Sequence, residues 1–145
     1  MHDQAAAVSG WISRRGSIEL PSYGTSMFPL IVEGDISEFM PVDSHNIRVG
    51  QVYLFVSNEG LLVGHRLLHV IQEEHENQYI FKGDTNIFPD TAVSLDQILG
   101  EWTSVQRKQR RRPRDHWQLR LLSWLALHIH EWPKLMRWYI SVKKL

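Results

Sequence analysis

Residues 52–65, VYLFVSNEGLLVGH, constrain the fold of this chain more than any other stretch. Two runs rich in β-branched, leucine and aromatic residues flank four turn-forming residues that end in Gly60, the pattern of a β-hairpin. The rhythm recurs on both sides. SIELPSY (17–23) and QYIFKGD (78–84) are further short apolar runs, and GLLVGHRLLHVIQ continues to residue 72. Between them, Glu33-Gly34-Asp35 and Gly83-Asp84-Thr85-Asn86 are turn signals. Short strands with no intervening helices predict a mainly β domain, a small barrel or folded sheet, over residues 17–106. The chain's 145 residues suit one such domain plus an appendage, and 43% hydrophobic content excludes wholesale disorder. Residues 1–16 form an N-terminal segment in which 5–14 predict a short helix ended by Gly16.

The composition changes at residue 107. Residues 1–105 carry 5 Lys/Arg against 14 Asp/Glu, a net −9, while residues 106–145 carry 11 against 2, a net +9. Residues 107–145 therefore read as a basic appendage with an anionic partner, lipid head groups or nucleic acid; docking on the chain's own acidic domain is the alternative. Arg107, Lys108, Arg110, Arg111, Arg112 and Arg114 crowd into RKQRRRPR and predict a solvated or anion-bound stretch. Asp115 is then the expected N-cap of an apolar helix, and Pro133 the start of a second. Trp117, Trp124, Trp132 and Trp138 lie among the cations of this tail, a mixture suited to a membrane surface. No apolar run of about 18 residues is present, so peripheral or monotopic association is expected rather than spanning. The opening residues show no secretory leader. No RNA or DNA recognition pattern accompanies the basic run, which makes nucleic acid the lesser partner.

Three places could carry chemistry. Ser26 stands in GTSMFPLIVEGD beside Met27 and Phe28, a hydroxyl at the edge of an apolar stretch. A serine hydroxyl needs a base to take its proton and a third group to orient that base. His65 is the candidate base, with Gly64 giving its ring room, and Asp84 and Asp90 are the candidate orienting acids. By residue type alone a histidine like His65 is more often merely structural than part of such a site. The chain has no cysteine, and His65 with His69 lacks the acid spacing of a zinc site, so no metal is expected there.

The ordered set GTSMFPLIVEGD, IRVGQVYLFV, VGHRLLHV, FKGDTNIFPD and ILGEW resembles the motifs of type I signal peptidases. It is most similar to the Ser-His branch of archaea and the endoplasmic reticulum, and covers about residues 20–105. The resemblance implies Ser26 as nucleophile, His65 as general base and Asp90 with Asp84 as the supporting acids. It implies an oxyanion and substrate groove around Thr25, Ser26, Met27 and Phe28, and a precursor polypeptide cut after small residues in an Ala-x-Ala-like pattern. It further implies a serine endopeptidase with a mostly β catalytic fold and no metal or organic cofactor. There are departures. Gly24 stands where the family often has a hydroxyl, Gln51 replaces an acid, and Thr85 replaces the first asparagine of the Gly-Asp turn. No spanning helix precedes the serine motif, so membrane attachment is expected from the tail. Two other functions fit the same residues: a non-catalytic peptide-binding module of this fold, and a nucleic-acid-associated regulator.

Overall fold

In the computed structural model, which describes residues 2–145, eight strands form one antiparallel sheet curled into a half-barrel. They are β1 (Ile18–Pro21), β2 (Ile36–Met40), β3 (Val52–Val56), β4 (Leu62–Gln72), β5 (Asn77–Lys82), β6 (Val93–Ser94), β7 (Ile98–Arg107) and β8 (Arg110–Pro113). Their spatial order is β1-β2-β7-β3-β4-β5-β6, with β8 paired to β7. The hairpin at 52–65 is present, Val56 facing Leu62 across a turn closed by Ser57 N–H to Leu61 O. Register shifts at Glu38/Phe39, Leu54/Phe55 and Leu67/His69 bend the sheet, because a bulge raises local twist and kinks its strand.

Bending gives the sheet two buried faces, which explains why 52–56 is apolar throughout rather than alternating. Val52 and Leu54 enter one core with Met27, Leu30, Ile31, Phe39 and Trp102. Tyr53 and Phe55, on the opposite face, enter a second with Leu67, Tyr79, Phe81, Val93 and Ile98. Phe55 stacks on Phe81 at 4.3 Å between ring centroids. Burial raises the Tyr53 phenol above its ordinary pKa, and its oxygen accepts the Arg48 N–H. Helix α1 (His2–Arg15) covers the first core with Val8 and Ile12 and stops at Gly16, whose N–H bonds Ile12 O.

Helices α2 (Trp117–His128) and α3 (Trp132–Lys143) follow β8. Leu119 of α2 joins the first core, and Pro133 lies in the first turn of α3. The cap of α2 differs from expectation. His116, not Asp115, is the N-cap, and its ring Nδ1 accepts the Gln118 N–H. The turn leaving β8 runs one residue further than the sequence indicates, with His116 N–H bonded to Pro113 O.

The basic run departs furthest from expectation. It is neither free nor the start of an appendage, because residues 107–113 close β7 and form β8. The acidic half of the chain takes up its charge. Arg107 forks onto Asp35 at 2.9 and 2.8 Å, and this bond raises the guanidinium pKa further. Arg111 pairs with Glu19 and Glu38, and Arg114 with Glu101 at 2.6 Å, while Arg112 bonds Gln118. Among the described residues, Lys108 and Arg110 alone of the six have no side-chain partner. Of the four tail tryptophans, Trp117, Trp124 and Trp138 are more than half exposed, whereas Trp132 is buried and belongs to the packing of α3.

Candidate active site

Ser26 lies in the loop from β1 to β2, which is closed at its base. Ser22 N–H donates to Asp35 O and Gly34 N–H to Ser22 O, while the Asp35 carboxylate accepts Val32 N–H and the Arg107 fork. The Gly34-Asp35 pair thus has a mechanical task. It pins the loop whose outer end presents the serine. Gly24 adopts φ +76 in open space, a left-handed turn that disfavours residues with a Cβ. The absence of a hydroxyl there follows from that backbone.

A second turn grips the loop from the sheet. Thr85 N–H donates to Ser26 O at 3.0 Å, and its hydroxyl to Thr25 O at 3.0 Å. A Cβ on Gly83 would stand 2.9 Å from Ser26 O and 3.0 Å from Ser26 Cβ, so only glycine lets the turn come this close. Lys82 holds the turn from within, donating to Gly83 O at 3.1 Å and Asn86 O at 2.8 Å. Burial pushes the Lys82 ammonium below its ordinary pKa, against the opposing pull of Asp84.

His65 and Arg66 are neighbours on β4, so strand alternation sends them to opposite faces. His65 is buried, packed edge-on to Phe55, with its Nε2 3.0 Å from Ser26 Oγ. Its Nδ1 is 2.6 Å from Asp90 Oδ2. A carboxylate only accepts, so Nδ1 carries the proton and Nε2 is left to accept the Ser26 hydroxyl. Asp90 is held by its own N–H, bonded to Phe81 O on β5.

Asp84 does not reach His65. It forms a buried fork with Arg66, Nε to Oδ1 at 2.8 Å and Nη2 to Oδ2 at 2.7 Å, and Arg66 also donates to Gly50 O. Its task is to tie the 83–86 turn to β4 and the loop before β3. Phe28 is likewise elsewhere than expected. It leaves the groove to stack on Tyr139 of α3, 5.8 Å between centroids, while Met27 is buried and lines the groove. Gly64 faces the groove and the Phe39 ring rather than making room for the histidine. The sequence places Thr85 in the Gly-Asp turn and Arg66 beside His65 but assigns neither a task, because the bonds of Thr85 to residues 25 and 26 span about sixty positions; nothing in the sequence marks Tyr139.

Beside Ser26 and His65 runs a cavity of about 700 Å³, walled by Leu20, Met27, Ile31, Phe39, Leu54 and Val63. Among the described residues the Ser26 N–H has no protein acceptor, which leaves it available to an oxygen bound beside the hydroxyl.

No family model matches the chain. A stretch of 67 residues is 30% identical to the 1,3-beta-glucan synthase component bgs3 of Schizosaccharomyces pombe. That match spans 46% of this chain and 4% of the relative, too little of either to set a family. Chemically, the arrangement holds a hydroxyl, an imidazole acceptor and an orienting carboxylate in line beside an apolar groove.

Proposed function

We propose that this protein is a serine endopeptidase, similar to type I signal peptidases, that removes a leader from a precursor polypeptide. The observation that carries the reading is the line Ser26 Oγ, His65 Nε2, Asp90 Oδ2, with steps of 3.0 and 2.6 Å. Ser26 Oγ attacks the scissile carbonyl as its proton passes to His65 Nε2. Asp90 holds the imidazole in the required tautomer and stabilises the imidazolium. The tetrahedral oxygen takes a hydrogen bond from the Ser26 N–H, and one such donor is worth about 10²–10³ in rate. His65 then gives its proton to the leaving amine. The acyl-enzyme is hydrolysed by water that His65 deprotonates, returning the proton to Ser26. The apolar groove accepts an extended chain with small residues before the cut.

The tail places the enzyme at a membrane surface in this proposal. No helix among the described residues is long and apolar enough to cross a membrane. Three exposed tryptophans and the unpaired Lys108 and Arg110 supply rings and cations for the head-group region.

Protein N-termini compared across cells carrying the wild type or Ser26→Ala test the reading. Precursors that stay uncut in the variant and share small residues before the cut are the expected result. A Ser26→Ala chain that keeps full cleavage overturns it. Asp90→Asn should fold normally and lose about 10⁴ in kcat, since the amide favours the wrong tautomer.

A further inference from the structure

Two cavities meet at Ser26, and they differ in chemistry. The first is the apolar groove. The second, of about 520 Å³, has Thr25, Thr85 and Asn86 on one wall and Arg137, Ser141 and Lys144 on the other. No acidic side chain lines it. The second wall comes from α3 and its C-cap, in the segment first expected to face a membrane.

Three observations make this wall part of the site. Trp132 and Met136 are buried, so α3 is packed by one face rather than free. Tyr139 stacks on Phe28, two residues from the serine, so the helix is registered to the catalytic loop itself. Among the described residues, Arg137 and Lys144 have no side-chain hydrogen bond and no ion pair, whereas Lys134 on the same helix pairs with Glu131 at 3.4 Å. The carbonyl end of α3, where Leu145 also lines the cavity, opposes anions with about half a charge, and Arg137 and Lys144 act against it. Its Ile140 carbonyl is moreover occupied by the N–H groups of Lys144 and Leu145.

We propose that α3 supplies a cationic subsite, and that the substrate carries an acidic side chain just after the scissile bond. The inference rests on the peptidase reading. A chain lying across Ser26 with its small residues in the apolar groove brings the following residues between Thr85 and α3, where Arg137 and Lys144 meet a carboxylate. The substrate class is thereby narrowed to precursors whose mature part begins with an acidic segment.

The test uses the full chain and peptides with Ala-x-Ala before the cut and Glu, Gln or Lys scanned through the first three positions after it. The wild type should cut the best Glu peptide about fivefold faster in kcat/KM than its Lys counterpart at low salt, the scale of two exposed ion pairs. Arg137→Glu combined with Lys144→Glu should invert that order, and Lys134→Glu should leave it unchanged. Equal cleavage of Glu and Lys peptides by the wild type, or an order unmoved by the double reversal, overturns the subsite. Binding of the same labelled peptides to the Ser26→Ala chain separates the two ideas. If nothing is cut but the Glu peptide binds more tightly than the Lys peptide, the peptidase reading fails and the subsite stands. If nothing is cut and binding is equal, both fail.

Discussion

Asp84→Ala is the substitution that most sharply separates building from chemistry in this site. The carboxylate and its Arg66 partner are 5% and 6% exposed at the side chain, and their fork is bidentate at 2.8 and 2.7 Å. Removing the aspartate leaves a guanidinium buried with Gly50 O as its remaining acceptor. Breaking a buried pair from one side typically costs about 3–5 kcal/mol. With a urea m-value of about 2 kcal/mol/M for a domain of this size, the unfolding midpoint should fall by about 2 M. Asp90→Ala removes one hydrogen bond from a carboxylate 29% exposed, and should lower stability by only about 1 kcal/mol. Urea unfolding followed by tryptophan fluorescence measures both. Replacing the pair together, Arg66→Met with Asp84→Leu, should recover most of the loss, because no charge is then stranded. Labelling of Ser26 by a fluorophosphonate, measured well below the unfolding midpoint, should persist in the double replacement and fall in Asp90→Ala. An Asp84→Ala midpoint within about 0.5 M of wild type would refute the structural role assigned to the fork.

Two further outcomes follow from the turn that grips the serine. Gly83→Ala should displace Ser26 and reduce its labelling more than it reduces stability, since the added methyl meets the serine backbone at 2.9 Å; unchanged labelling with a native fold counts against the close approach. The lowered pKa of Lys82 gives a pH signature. Between that value and about 10.4, the unfolded chain holds more protons at this position than the folded one, so stability rises with pH across the window. Lys82→Met lacks the effect, so the wild-type advantage over the variant should grow from neutral to alkaline pH in urea titrations; a constant difference refutes it.

Local pattern made the sheet legible and long-range pairing hid the rest. The hairpin at 52–65 and the helix start at Pro133 are written in adjacent residues, and strand-like apolar runs were enough for the fold class. Ser26, His65 and Asp90 were readable as residue types, but their distances depend on bulges and a turn clamp that no short window contains. Asp84 and Asp90 are the instructive pair. Both are turn acids in the same short stretch after β5, and alternation on β4 decides between them by sending Arg66 to the face where Asp84 waits. The arginine run misled for the same reason. Six cations in eight residues look solvated until Asp35, Glu19, Glu38 and Glu101 are brought to them from distant strands.

The Arg107–Asp35 fork has a practical corollary for anyone dissecting this chain. The change in composition at residue 107 invites a cut there, to isolate the acidic half from the tail. Such a cut would trim the last residue of β7, discard β8 and leave the base of the serine loop with a bare buried acid. It would also strip Tyr139 from Phe28. An inactive fragment made that way would say nothing about the chemistry of Ser26, because the last 39 residues are part of the jig that holds it.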